Sequence, residues 1–395
     1  MRIAGRHFLQ IPGPSPVPDR ILRAIDMPVI DHRGPGFADL GNRVLTGIQG
    51  IFKTTQPVII YPSSGTGAWE AALVNTVNQG DKLLMVETGH FAHLWQNLAF
   101  KLGLQPQLIE TDWRRGADPA LVEEALRADK NHELKAVCVV HNETSTGSTS
   151  RIAAIRQAID AASHPALLMV DTISGLASAE FCFDDWGVDV AISGSQKGLM
   201  LPPGLSFNAV SSRALQANTK AGLPASYWQW TEMIEANQRG YFPYTPATNL
   251  LFGLAEAIDM LNEEGLDNVF ARHQRHAAAT RKAVEAWGLE VQCTVNTEYS
   301  PVLTAVRVPD GVDADHLRSV ILEHCNTSLG NGLSKVAGKV FRIGHLGDIN
   351  DVTLLGTLSG IEIGLHLADV PHQTGGAQAA LDYLKTSRQS YAKVA

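Results

Sequence analysis

The 395-residue sequence predicts an α/β fold, with a large unit on a mainly parallel seven-stranded sheet followed by a smaller C-terminal α+β unit. Three observations lead there. Seven short apolar runs alternate with amphipathic segments between about residues 55 and 215, the pattern of a parallel sheet covered by helices. Runs such as Leu167-Leu168-Met169-Val170 are apolar throughout, as strands covered on both faces require. Beyond about residue 250 the pattern changes to long helices with isolated strands.

In order, strands are predicted at 58–61, 82–87, 107–110, 136–141, 166–171, 188–193 and 205–210. Helical segments between them include 68–77 and 119–128. Asp118 caps the second of these, and Pro119 takes the first helical position, where a missing N–H is harmless. In such a sheet, ligands bind at the C-terminal ends of the strands. The C-terminal unit reads as a helix-rich stretch at 250–286, a strand at 301–308, a helix at 314–324, a strand at 339–343 and a helix at 352–366. No low-complexity linker separates the two units, so they are expected to pack closely.

Composition narrows the class. Hydrophobic residues at 45% and charged residues at 18% exclude a disordered or fibrous chain. With 40 acidic and 32 basic side chains the net charge is −8, which argues against nucleic acid or an anionic membrane as a partner. The start of the sequence has no secretory apolar region, and no window approaches the roughly 18 apolar residues of a membrane span. Residues 391–395 do not form a peroxisomal signal. A cytoplasmic protein is expected. Cys138, Cys182, Cys293 and Cys325 form no Cys-x-x-Cys pair and read as reduced thiols. The histidines show no metal spacing, so no metal is expected.

Chemistry enters where polar residues end the apolar strands. Val170 runs into Asp171-Thr172-Ile173-Ser174, and Ile192 into Ser193-Gly194-Ser195-Gln196-Lys197-Gly198. An aspartate and a lysine thus stand at two strand mouths and face one crevice if those strands are neighbours. Pyridoxal phosphate needs this pairing. A lysine amine forms the Schiff base and moves the proton, and an aspartate keeps the pyridine nitrogen protonated. The alternative is a turn-capping aspartate and a solvated lysine. A third strand leads into Pro62-Ser63-Ser64-Gly65-Thr66-Gly67 with a helix opening at Ala68, which would offer a phosphate the backbone N–H groups of a helix start. Glu70 stands where a dinucleotide fingerprint needs its third glycine, and no P-loop is present.

Other strand ends add weaker signals. Phe91, in Glu87-Thr88-Gly89-His90-Phe91, is placed to lay an aromatic face on a cofactor ring, or else is plain core. The segment from His141 to Gly147 is dense in hydrogen-bonding groups, which turn chemistry would also explain. Arg342 sits within an apolar strand and needs an anion, either a substrate carboxylate or an internal salt bridge.

Together these strings resemble the class V aminotransferases of pyridoxal-phosphate fold type I, in particular the serine–glyoxylate and alanine–glyoxylate branches. The likeness runs from Ile11-Pro12-Gly13-Pro14-Ser15 through Ser193-Gly194-Ser195-Gln196-Lys197 to residues 338–347. It implies an N-terminal segment contributing to the active site (1–20), a large cofactor-binding domain (21–265) and a small C-terminal domain (266–395). It also implies Lys197 as the Schiff-base residue, Asp171 at the pyridine nitrogen and Phe91 on the ring. Ser64, Gly65, Thr66 and Gln196 would meet the phosphate, and Thr146 the O3′ side. Tyr244 and Thr245 would complete the phosphate site of a neighbouring subunit, which makes the protein at least a homodimer. Arg342 would hold the α-carboxylate of an amino donor and of glyoxylate.

By resemblance the donor is L-serine, with aspartate or alanine as alternatives. Arg33 or His32, in Asp31-His32-Arg33-Gly34-Pro35, would hold a second carboxylate, or simply support the loop. Rival readings are a cysteine desulfurase using Cys325, a dehydrogenase, and a non-catalytic protein that kept the fold.

Overall fold

Continuous apolar runs become strands with two buried faces. The protein is described by a computed structural model, and the described residues are 5–387; residues 1–4 of the N-terminal segment and 388–395, which include the 391–395 tail, lie outside them. In chain order the strands are β1 (Phe8–Gln10), β2 (Val58–Tyr61), β3 (Lys82–Val86), β4 (Gln105–Ile109), β5 (Leu134–Val140), the hairpin β6 (Asn142–Glu143) and β7 (Ser148–Thr149), β8 (Leu167–Asp171), β9 (Val190–Gly194) and β10 (Ser206–Val210). They continue with β11 (Glu290–Val291), β12 (Leu303–Arg307), β13 (Thr327–Asn331) and β14 (Val340–Gly344).

The large sheet has seven strands in the order β2-β10-β9-β8-β5-β3-β4. Its strands run parallel except β10, which is antiparallel to both neighbours. Successive residues serve opposite cores. Val58, Ile60, Leu168, Val170 and Phe207 face one, while Ile59, Tyr61, Met169, Val190 and Ile192 face the other. That two-sided burial is why the runs are apolar throughout. The expected helix at 119–128 is Pro119–Ala128, and Asp118 accepts from the Ala120 N–H at 3.0 Å.

The smaller sheet has the order β1-β13-β14-β12-β11. Its first strand comes from the N-terminal segment and pairs in parallel with β13. Helices Leu266–Ala286, Ala314–Cys325 and Asp351–Leu367 cover it through Ala283, Leu317, Ile321, Leu354 and Leu358, packed on Phe341 and Ile343. The helix-rich stretch after residue 250 is two helices, Thr248–Glu264 and Leu266–Ala286, separated by Gly265 at φ 81°. Among the described residues no helix is long and apolar enough to cross a membrane.

Candidate active site

β8 and β9 are parallel neighbours, with Asp171 opposite Ile192. Their C-terminal ends therefore open on the same side of the sheet, and Asp171 and Lys197 line one cavity. Ser64, Gly65, Thr66, Phe91 and Gln196 line it too. Seven of the residues singled out in the sequence thus converge.

Asp171 is 3% exposed, and both of its oxygens are held. Oδ1 accepts from the Ile173 N–H at 2.7 Å, and Oδ2 from the Trp69 indole N–H at 3.1 Å. Burial pushes its carboxyl up to about 7, and the nearby negative charge of Glu143 adds to the rise. A carboxylate in this state favours a cationic partner. Lys197 is also buried, and its Nζ donates to the Pro12 carbonyl at 2.8 Å. Desolvation, helped by the charge of Arg342 and opposed by Asp171, brings the amine down to about 8. A neutral amine is then accessible near physiological pH, as a nucleophile or proton carrier requires.

The N-terminal segment closes over this lysine. The Ser15 N–H donates to the Gln196 carbonyl at 2.9 Å, and its hydroxyl to the Lys197 carbonyl at 2.8 Å. A Cβ at residue 13 would overlap the end of the Lys197 side chain, so glycine is what lets the backbone pass there.

At the other end of the cavity the helix Gly65–Val74 begins, with Ser64 at its N-cap making no side-chain cap bond. The helix opens at Gly65, three residues before the expected Ala68, so the glycine turn is the first helical turn itself. A Cβ at Gly65 would overlap Ile173. Among the described residues the Gln196 side-chain Oε1 is buried without a partner, and a Cβ built on Gly194 would lie 3.1 Å from it and 3.7 Å from the Gly65 nitrogen. Free N–H groups and two hydroxyls fit a phosphate, and Gln196 would join them by turning its amide so that the NH2 end, not Oε1, faces it.

Arg342, on β14, is 6% exposed. Its Nε donates to the Asn331 carbonyl at 2.7 Å and its Nη1 to the Thr144 carbonyl at 2.8 Å. Among the described residues no carboxylate forms an ion pair with it, so the internal salt bridge considered from the sequence is not made. Burial lowers its pKa to about 10. Thr144, which lines the cavity, brings this guanidinium beside it.

The remaining residues are not in the cavity wall. The Thr146 hydroxyl lies 2.9 Å from Ser148 Oγ, fully buried. The Tyr244 ring stacks on Tyr227 with centroids 4.2 Å apart, and Thr245 is exposed. Arg33 is exposed and lines a separate hollow with Glu232, Glu235 and Arg239. Cys325 ends the helix Ala314–Cys325 and packs beside Gly360, away from the cavity lining. Sequence reasoning missed the roles of Trp69 and the Pro12 carbonyl. A tryptophan in an apolar helix reads as core, and a backbone carbonyl leaves no side-chain signal.

Comparison with known proteins decides the family. The model of the aminotransferase class-V family matches residues 29–340. The chain belongs to the class V aminotransferase family. Members of that family are generally dependent on pyridoxal phosphate. The chain is 48% identical to a serine–glyoxylate aminotransferase of Methylorubrum extorquens, over 97% of each chain. It is 44% identical to an L-aspartate–glyoxylate aminotransferase of Paracoccus denitrificans, over 98% of each. The crystal structure of pyridoxamine–pyruvate aminotransferase from Mesorhizobium loti superposes with a TM-score of 0.90 at 27% identity, over 98% of each chain. Family membership bears out the transaminase reading and the fold type I expectation, and does not favour the dehydrogenase or desulfurase rivals.

Proposed function

We propose that this enzyme moves the amino group of L-serine to glyoxylate, giving hydroxypyruvate and glycine, with pyridoxal phosphate as cofactor. One observation carries the reading: Arg342 is buried beside the Asp171–Lys197 cavity with two backbone carbonyls and, among the described residues, no carboxylate, so its charge is available to a substrate anion. The relatives' names support amino transfer to glyoxylate.

The residues fit the cofactor. Ser64, Gly65, Thr66 and Gln196 would hold the phosphate, Phe91 would cover one ring face, Asp171 would hold the pyridine nitrogen and Lys197 the aldehyde carbon. When bound, pyridoxal phosphate supplies an electron sink for the substrate Cα. Arg342 grips the α-carboxylate and sets the Cα–H toward Lys197. The Lys197 amine takes that proton as base and returns it as acid. Asp171 keeps its negative charge against the ring-nitrogen proton, and Trp69 holds its carboxylate in plane. Donor and acceptor share the Arg342 site in turn, so the kinetics are ping-pong.

The proposal includes a homodimer, in which Tyr244 and Thr245 of one chain complete the phosphate site of the other, with Thr146 supporting the O3′ side from within the chain. It retains the domain division at 20 and 265 and a cytoplasmic location. Serine is preferred because no second cation among the described residues lines the cavity with Lys197, whereas aspartate carries a second carboxylate. The second reading, aspartate as donor, is favoured by the Paracoccus relative and by the exposed Arg33, which a partner chain's cavity would receive.

The test supplies cofactor-loaded enzyme with glyoxylate and L-serine, L-aspartate or L-alanine, and measures glycine together with each oxo acid. Equal glycine and hydroxypyruvate, with serine the best donor, supports the proposal. Glycine formed from aspartate alone would replace it with the second reading.

A further inference from the structure

Phe91 is held by a cap that comes from outside its own segment. It lies in the first turn of the helix His90–Lys101, whose N-cap is Gly89, a residue with no side chain to satisfy the free N–H groups of a helix start. The His90 N–H donates instead to Ser145 Oγ at 2.9 Å. The Phe91 N–H donates to Glu143 Oε1 at 3.4 Å, and the Ala92 N–H to Glu143 Oε2 at 3.3 Å. Ser145 then donates its hydroxyl to Glu143 Oε1 at 2.6 Å and its backbone N–H to the same oxygen at 3.0 Å. The first three N–H groups of the helix are thus all taken by one buried pair.

The cost of this arrangement argues for a task. Glu143 is 1% exposed and Ser145 fully buried. Burial raises the Glu143 carboxyl, while Ser145 and the helix N–H groups favour its charged form. A Cβ at residue 89 would overlap both Ser145 Oγ and Glu143, so the glycine that forfeits a local cap is the one that admits the distant one. Gly89 is itself buried, so a side chain there could cap the helix only by displacing Ser145 and Glu143. What the distant cap adds is a tie. Glu143 belongs to β6, next to Asn142 and Thr144, and both of those line the cavity together with Phe91.

We propose that Glu143 is a positioning residue that fixes the Phe91 ring in the cavity by capping the first turn of its helix from the β6–β7 hairpin. This rests on the reading of Phe91 as the residue that covers the cofactor ring.

The test is a double-mutant cycle of Glu143→Gln and Phe91→Ala, read as the pyridoxal phosphate dissociation constant of the protein and the visible circular dichroism of the bound cofactor. Glu143→Gln alone is expected to weaken binding by about 5- to 10-fold and to reduce the dichroism. In the Phe91→Ala background the same change is expected to matter by less than about 2-fold. An equal loss in both backgrounds, or wild-type binding by Glu143→Gln, overturns the proposal. Unchanged binding by Phe91→Ala alone overturns the stacking reading itself, so the two failures are distinct. Should Glu143→Gln fail to fold, Ser145→Ala takes its place in the cycle, with an expected loss of about 2- to 3-fold that also disappears without Phe91.

Discussion

The Trp69 indole N–H donates to Asp171 Oδ2 at 3.1 Å, and the Trp69 ring stacks on Trp95 with centroids 6.0 Å apart and planes 11° from parallel. With Oδ1 held by the Ile173 N–H, the plane of the carboxylate is fixed from both sides. Trp69→Phe keeps a ring and removes the donor. A donor to the charged form lowers a carboxyl pKa, so its loss raises Asp171 further above its ordinary range. The acid limb of the kcat/KM profile is expected to move to higher pH, with kcat lower by about 10-fold. A pH–rate series on the variant checks this.

Lys197 gives a second pH dependence. Its amine is held at about 8, mainly by burial, and only the neutral form attacks an aldehyde. The rate of cofactor uptake by cofactor-free protein is therefore expected to rise with pH through a midpoint near that value. A midpoint near 10, that of a solvated lysine, would contradict the assignment. Stopped-flow absorbance across this pH range reads it directly.

Arg342→Lys keeps a positive charge and loses the planar fork. KM for donor and for glyoxylate are both expected to rise by about 10- to 100-fold, with the cofactor dissociation constant within about 2-fold of wild type. Steady-state kinetics for both substrates, with a cofactor titration, separate the two effects.

Gly13→Ala places a methyl group against the end of Lys197. The flexible lysine gives way, at the expense of its bond to the Pro12 carbonyl. Single-turnover transfer is expected to slow by about 10-fold or more, with a smaller change in donor KM. Rapid-mixing kinetics on the loaded variant measure both.

Arg33→Ala separates the donor readings. If the second carboxylate of aspartate is held by Arg33 of a neighbouring chain, kcat/KM for aspartate falls by about 10-fold more than that for serine. Parallel kcat/KM measurements on the two donors supply the comparison.

The large sheet was legible because a strand buried on both faces must be apolar, as β2, β3 and β8 largely are, while the edge strand β4, with Gln105 and Gln107 exposed, showed only its last residues. β1 and β13 were not legible. Phe8-Leu9-Gln10 is too short to show a period, and Thr327–Asn331 carries polar residues with its glycine packed under Arg342 and Pro12. The helix Gly376–Thr386 likewise went unread. At the site, Asp171 and Lys197 stood out because charged residues ending apolar strands are costly to bury without a purpose. Glu143 did not, since within a run of hydrogen-bonding residues a carboxylate that caps a distant helix looks like one that forms a turn. Such roles depend on which segments meet in space, and sequence spacing does not encode that.

The most direct measurement is the visible spectrum of the purified, cofactor-loaded protein before and after separate additions of L-serine, L-aspartate and L-alanine. The expected result is a visible band that serine abolishes and glyoxylate restores. A protein that binds no pyridoxal phosphate, or whose band none of the three amino acids changes, would contradict the account.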